Sequence, residues 1–384
     1  MKSKVLILSP IGDVGGRELE VGFIASILSE KYNVNVISTG NYTQNSQVKT
    51  FKGFSVTSLK YLIFDNNLLV RFLIKFISLF LKNISFDASS LSSPLLKKVL
   101  KVQKRKSIIL NNEILKTDIV FICAQLSSNY IEEIILIAKK NKKTIIFRTT
   151  GNISKNLEPT YLKYVDLFIH HSLKNAKKLN KNYNFKVIDQ CAFNEENFLK
   201  IPDLNTKVNN FMTVSRIEKN KNIDIVINAF IKSADINDKL YVVGNGPDLE
   251  KTIIETKDKR IIFTGFIHNN ELQEIYKICQ CFIISYYKLE AGPLTGIEAM
   301  AAGKIIISSK TGAMTERIIG EHVFWHNNTI DVLSEKINKV KMLNVNEVTE
   351  ISKINRDRYI SEYSKEKIRQ KYLDAVSLLN YKDE

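Results

Sequence analysis

The chain has 384 residues, of which 44% are hydrophobic and 25% charged, a balance that excludes wholesale disorder and a length that exceeds what one core commonly serves. Its formal net charge of +16 is uneven: residues 1–200 carry 30 Lys and Arg against 15 Asp and Glu, and the remainder 26 against 25. The basic half is therefore expected to meet something anionic, such as a membrane surface, a charged glycan or a nucleic acid. Cys123, Cys191, Cys279 and Cys281 lack metal-ligand spacing and suit a reducing compartment.

From the N-terminus, Val5-Leu6-Ile7-Leu8 is too short for a secretory leader and right for a buried strand, predicted at 4–9. A glycine loop, Pro10 to Gly16, leads into a helix at 18–29 and a second strand at 33–38. Strand, glycine loop, helix, strand opens a doubly wound α/β domain. The pattern resumes with a strand at 119–123, a helix at 130–140, and strands at 144–147, 167–169 and 186–189. Their continuous apolar runs suit parallel strands buried on both faces.

Between these parts, residues 40–115 read as an irregular insertion with apolar helical segments. The apolar region 61–81 is interrupted by Asp65, Arg71 and Lys75, and so does not cross a bilayer. Beside it lies a basic run, Lys97 to Lys106. Apolar stripes next to cations are what an interfacial helix needs, so residues 60–106 are expected to touch an anionic membrane peripherally.

A polar stretch with Pro202 marks the expected boundary, giving domains 1–200 and 201–384. A second α/β series then runs through strands at 211–214, 240–243, 260–263, 281–285 and 305–308, with helices at 223–231, 247–256, 271–278 and 293–302. The tail from Ile330 reads as helical, and C-terminal helices are expected to pack back on the first domain.

The segment Glu290-Ala291-Gly292-Pro293-Leu294-Thr295-Gly296-Ile297-Glu298 follows a strand and opens a helix. Pro293 stands where a missing N–H costs nothing, and the free N–H groups of Leu294 and Thr295, with the helix dipole, suit a pyrophosphate. Gly292 is expected to leave room for a ligand against the backbone. Glu290 and Glu298 are suited to accepting hydrogen bonds from sugar hydroxyls. Arg216 and Lys221 follow the strand at 211–214 and are expected at the ligand-binding edge of the second sheet, as fork and point charge for phosphate oxygens.

In order, Val214-Ser215-Arg216 with Lys221, Val242-Val243-Gly244-Asn245-Gly246-Pro247, Phe263-Thr264-Gly265-Phe266, and Glu290 with Glu298 and Gly303 resemble the C-terminal domain of retaining glycosyltransferases of family 4. The resemblance covers residues 210–320 closely and residues 1–200 loosely. It implies GT-B architecture, two Rossmann-like doubly wound domains facing each other across a cleft. It implies that Arg216 and Lys221 hold the diphosphate of a UDP- or GDP-linked sugar, that Glu290 contacts the transferred sugar and that Glu298 contacts the ribose. The Gly265-Phe266 turn would lie beside the base, and the Gly15-Gly16 turn would close over the donor. The basic charge of residues 1–200 points to a glycan or lipid-linked acceptor, with cell-surface polysaccharide or glycoconjugate assembly expected in the cytoplasm at the inner face of a membrane.

Departures from that pattern stand where family members carry histidines: Thr149-Thr150-Gly151 and Ala124-Gln125-Leu126 replace them, and the acceptor-side chemistry stays unassigned. His170-His171 at another strand end reads as structural. No Asp-x-Asp triplet occurs, so with protein cations available no metal or other cofactor is expected. Three other readings compete. A nucleotide-sugar hydrolase or epimerase would use the same fold. A nicotinamide oxidoreductase lacks its Gly-x-Gly-x-x-Gly spacing, since Gly12, Gly15 and Gly16 do not fit it. A nucleic-acid-binding protein would leave Glu290 and Glu298 idle, so no nucleic-acid partner is expected.

Overall fold

The computed structural model describes residues 2–81, 85–154, 159–179, 182–287, 290–320 and 322–380. It divides into two compact units: Met1–His170 with Lys177–Lys186 and Tyr372–Glu384, and His171–Ala176 with Val187–Lys371.

The first unit begins with β1 (Lys4–Ser9), α1 (Gly16–Ser29), β2 (Asn33–Ser38) and β3 (Ser55–Ser58). Four helices follow, α2 (Leu59–Asp65), α3 (Leu68–Phe80), α4 (Pro94–Val99) and α5 (Val102–Leu115). Then come β4 (Ile119–Ala124), α6 (Ile131–Lys140), β5 (Thr144–Thr149) and β6 (Leu167–His170). The short α7 (Leu173–Ala176), which groups with the second unit, precedes β7 (Phe185–Val187). Among the described residues these strands form one sheet in the order β3-β2-β1-β4-β5-β6-β7. β1 pairs in parallel with β2 and with β4. Every residue of β4 is buried, as a strand covered by helices on both faces requires.

The expected irregular stretch 40–115 contains β3 and a small satellite lobe. Val70 and Ile74 of α3, Leu96 of α4 and Val102 of α5 share one core there with Ile63 and Leu91. The basic run does not form one helix: α4 ends at Val99, Lys101 turns through a left-handed backbone, φ 46°, and α5 starts at Val102.

The second unit continues with α8 (Glu195–Leu199), β8 (Asn210–Val214), α9 (Ile223–Ser233), β9 (Lys239–Val243) and α10 (Leu249–Glu255). Next are β10 (Ile261–Gly265), α11 (Gln273–Ile278), β11 (Cys281–Ile284), α12 (Leu294–Ala301) and β12 (Ile305–Ser309). It ends with α13 (Met314–Arg317), β13 (Phe324–His326), α14 (Ile330–Met342), α15 (Val345–Tyr363) and α16 (Lys365–Asn380). The sheet order is β10-β9-β8-β11-β12-β13, the doubly wound arrangement with its switch point between β8 and β11.

The expected boundary at 200/201 lies inside this unit. Phe198 and Ile201 are fully buried in its core beside Tyr276 and Met300, so the chain changes unit at 186/187 instead. It changes again within α16, whose residues from Tyr372 group with the first unit.

Candidate functional site

The switch point places the loops after β8 and β11 side by side, because neighbouring parallel strands end at the same sheet edge. The loop after β8 is laced to the loop after β9: Ser215 N–H donates to Val243 O at 3.1 Å, and Ile217 N–H to Asn245 O at 3.0 Å. Gly244 permits this approach. It has φ +139°, and a Cβ there would lie 1.9 Å from the Ser215 carbonyl oxygen.

Lys221 ends the short turn that follows. Its ammonium pairs with the Glu290 carboxylate and lies 4.2 Å from the centre of the Tyr286 ring. The Tyr286 hydroxyl donates to Val214 O at 2.8 Å, which ties the residue just past β11 back to the end of β8. Its main chain is gripped by Ser309 Oγ and by the Asn328 amide, and Tyr287 N–H donates to Asn220 O at 3.2 Å. The structure therefore unites Lys221 with Glu290. It does not unite Lys221 with Arg216, whose side chain is 68% exposed and lies 3.4 Å from Glu218. The expected cationic pair is a lysine held against Glu290 and an arginine in solvent.

At the N-terminus of α12, Pro293 has φ −63° and offers no N–H. The N–H groups of Leu294 and Thr295 have no partner among the described residues, while Gly296 N–H closes back on Pro293 O. Two free donors at a helix N-terminus form an anion site. At Gly292 the space where a side chain would stand is taken by the protein itself. A Cβ there would meet the Arg317 guanidinium at 2.8 Å and Ala313 Cβ at 3.2 Å.

Arg317 is fully buried. It donates to Pro293 O at 2.6 Å and forks onto Asp189, and His171 Nδ1 stands 3.8 Å from the same carboxylate. Burial alone would raise the Asp189 pKa, but the Arg317 guanidinium and then His171 hold it well below the usual carboxylate range. Neither Asp189, Arg317 nor Tyr286 was singled out in the sequence, because each gains its meaning from partners far along the chain.

Glu298 lies in the second turn of α12 and is 2% exposed. Burial pushes its carboxyl up to about 8, so it holds its proton at neutral pH. Gly265 ends β10 at φ +69° with open space where a Cβ would stand, and the half-exposed Phe266 ring lies edge-on to His268 at 5.0 Å.

The glycine loop belongs to the first unit. Glu18 accepts from Gly12 N–H at 2.7 Å, Gln47 accepts from Gly15 N–H at 3.0 Å, and a Cβ on Gly15 would lie 2.7 Å from Glu18 Oε2. Gly16 begins α1. His170 is buried at the end of β6, 2.7 Å from Thr149 Oγ1 and stacked on Phe168, partners that suit a structural role.

Residues 194–366 match the family model described as Glycosyl transferases group 1. No curated protein matches the chain in sequence. Among solved structures, the chain is similar to Anabaena HepE in complex with UDP-glucose, at 14% identity and a TM-score of 0.69, over 97% of this chain and 99% of that one. It is similar to a glycosyltransferase from Rickettsia africae at 17% identity and a TM-score of 0.67, over 97% of both. Sucrose-phosphate synthase from Thermosynechococcus elongatus is similar at 14% identity and 0.65, over 99% of both. At such identities the likeness establishes the fold, two Rossmann-like parallel-sheet units of GT-B type, and the family match adds the chemistry of the second. Residues 194–366 carry the match to the glycosyl transferases group 1 model, and the chain is a glycosyltransferase with the GT-B fold.

Proposed function

We propose that the chain transfers a sugar from a nucleotide diphosphate, with retention at the anomeric carbon, as the resemblance to family 4 implies. The observation that carries this reading is the anion site of Leu294 and Thr295 beside the Lys221–Glu290 pair. The donor diphosphate takes the place of the Glu290 carboxylate on Lys221 and accepts from the two N–H groups. Glu290, released, accepts from hydroxyls of the transferred sugar. Arg216 swings from Glu218 onto the outer phosphate. Glu298 receives the ribose, and the base lies against Gly265 and Phe266. UDP is the nucleotide of choice, since HepE is solved with UDP-glucose, and GDP is the second.

As the glycosidic bond breaks, negative charge gathers on the leaving diphosphate. Lys221, Arg216 and the N-terminus of α12 stabilise it, and such preorganised charge is commonly a large catalytic term. Protein cations suffice for the phosphates, so no metal is required. The donor phosphate helps take the acceptor proton on the same face. The acceptor is a glycan or lipid-linked molecule, met at the inner face of a membrane.

Thermal stabilisation by a panel of UDP- and GDP-sugars tests the donor, because a ligand of the folded state raises the melting temperature. No shift with any of them would sink the reading. Product analysis with and without acceptor separates transfer from hydrolysis or epimerisation.

A further inference from the structure

Helix α3 carries an apolar face that nothing among the described residues covers. Val70 and Ile74 turn inward to the satellite core. Leu68, Leu69, Phe72, Phe76, Leu79 and Phe80 turn outward, each between 51% and 79% exposed. At 3.6 residues per turn these six fall within an arc of about 120°. Arg71 and Lys75 line one edge of that arc. A row of three phenylalanines and three leucines facing water is far from the scattered apolar residues of an ordinary surface.

Charge decides what would cover it. Residues 60–106 hold ten Lys and Arg against two acids, Asp65 and Asp87. Lys60, Lys97 and Lys106 lie near enough that burial first, and then repulsion from Lys60 and Lys97, depress the Lys106 ammonium; Lys60 donates to the neutral Asn41 and Ser92 side chains. A second copy of the lobe would set cation against cation. A bilayer with anionic headgroups offers acyl chains for the apolar arc and opposite charge for its rim.

We propose that α3 lies in the interface of an anionic membrane with this arc buried among the acyl chains and Arg71, Lys75 and the lysines of the lobe at the headgroups. An amphipathic helix of this kind sinks about 5–10 Å, and basic neighbours strengthen its hold on anionic lipid. The inference rests on the reading of a membrane-met acceptor. It narrows the expected contact of residues 60–106 to the exposed arc of α3, with the basic run, broken into two helices at Lys101, at its side.

Cosedimentation of the full chain with vesicles tests it, using phosphatidylcholine alone and phosphatidylcholine with one-third phosphatidylglycerol. Binding at least about tenfold stronger to the anionic vesicles, weakened by salt, is expected. The triple variant Phe72→Ser, Phe76→Ser, Phe80→Ser should lose at least about tenfold in vesicle binding while keeping its melting temperature and its stabilisation by nucleotide-sugar. Wild type that ignores anionic vesicles, or a variant that binds them equally well, overturns the proposal. So does self-association of the wild type that the variant abolishes without changing vesicle binding. Donor stabilisation is read on the same samples, so failure of the membrane surface is distinguished from failure of the donor site.

Discussion

The Arg317 guanidinium forks onto the Asp189 carboxylate at 2.8 and 2.6 Å, with both groups buried and 128 positions apart in the chain. Its remaining nitrogen donates to Pro293 O, so one residue sets the start of α12. Removing one partner of such a pair strands the other charge. Arg317→Met should destabilise the second unit by about 3–5 kcal/mol in urea unfolding. Asp189 is held low in the folded state, so the contribution of this pair is complete above the unfolded carboxylate range and is lost as pH falls through the folded value. The variant should accordingly show less acid sensitivity than wild type.

Glu298 implies the opposite slope. Its folded carboxyl titrates at about 8 against an ordinary 4.5, so between those values the folded state keeps a proton that the unfolded chain has given up. Stability of the empty protein should fall as pH rises across that window and level off above it, a trend that Glu298→Gln removes. Ribose hydroxyls donating to this carboxylate favour its ionised form. Nucleotide binding at pH 7 should therefore release a proton, measurable by calorimetry in two buffers of different ionisation enthalpy. Binding with no buffer dependence would refute the ribose role.

The pairing of Lys221 with Glu290 separates the two residues kinetically. Lys221→Ala should lower kcat by about 10²–10³, as expected for loss of a preorganised group at developing charge. Glu290→Ala should abolish turnover and leave the affinity for the free nucleotide diphosphate equal to or tighter than wild type, because Lys221 is freed. Weaker nucleotide binding by Glu290→Ala would count against this assignment. Arg216→Ala lies in solvent and should change stability by no more than about 0.5 kcal/mol while raising the donor KM.

Two glycines differ in a way that substitution reads directly. Gly244→Ala drives a methyl into the Ser215 carbonyl and should prevent stable folding of the loop, with a fall in melting temperature. Gly265→Ala meets open space and bears only the left-handed backbone, about 1–2 kcal/mol. It should melt near wild type and lose nucleotide affinity, since its methyl enters the space proposed for the base.

Lys304 is buried with no hydrogen-bond partner for its amine among the described residues, and burial pushes it down to about 8. The cost of that buried ammonium is full below pH 8 and relieved as pH rises toward 10.5, where the unfolded lysine still holds its proton. Lys304→Met should raise the melting temperature at pH 7, with the gain shrinking at alkaline pH.

Local pattern carried much of the architecture. Short unbroken apolar runs such as 119–124 and 281–284 suit parallel strands covered on both faces, and both lie in such a sheet. The strands at 55–58 and 324–326 escaped because each is short and lies at or near a sheet edge, where the apolar signal is weak. A proline after a glycine at a strand end was enough to place the start of α12 within one residue.

The sequence by itself determined the two parallel sheets, the helix at 294 and the presence of Glu290, Glu298 and Lys221 near one sheet edge, because these depend on periodicity and chain order. Tertiary structure alone decided that Gly292 makes room for Arg317, that Lys221 grips Glu290 while Arg216 stands apart, and that Glu298 is dry enough to hold a proton. It alone decided which side of α3 is bare. The physical reason is common to all four: desolvation and pairing depend on what lies within a few ångströms, and those neighbours come from positions distant along the chain.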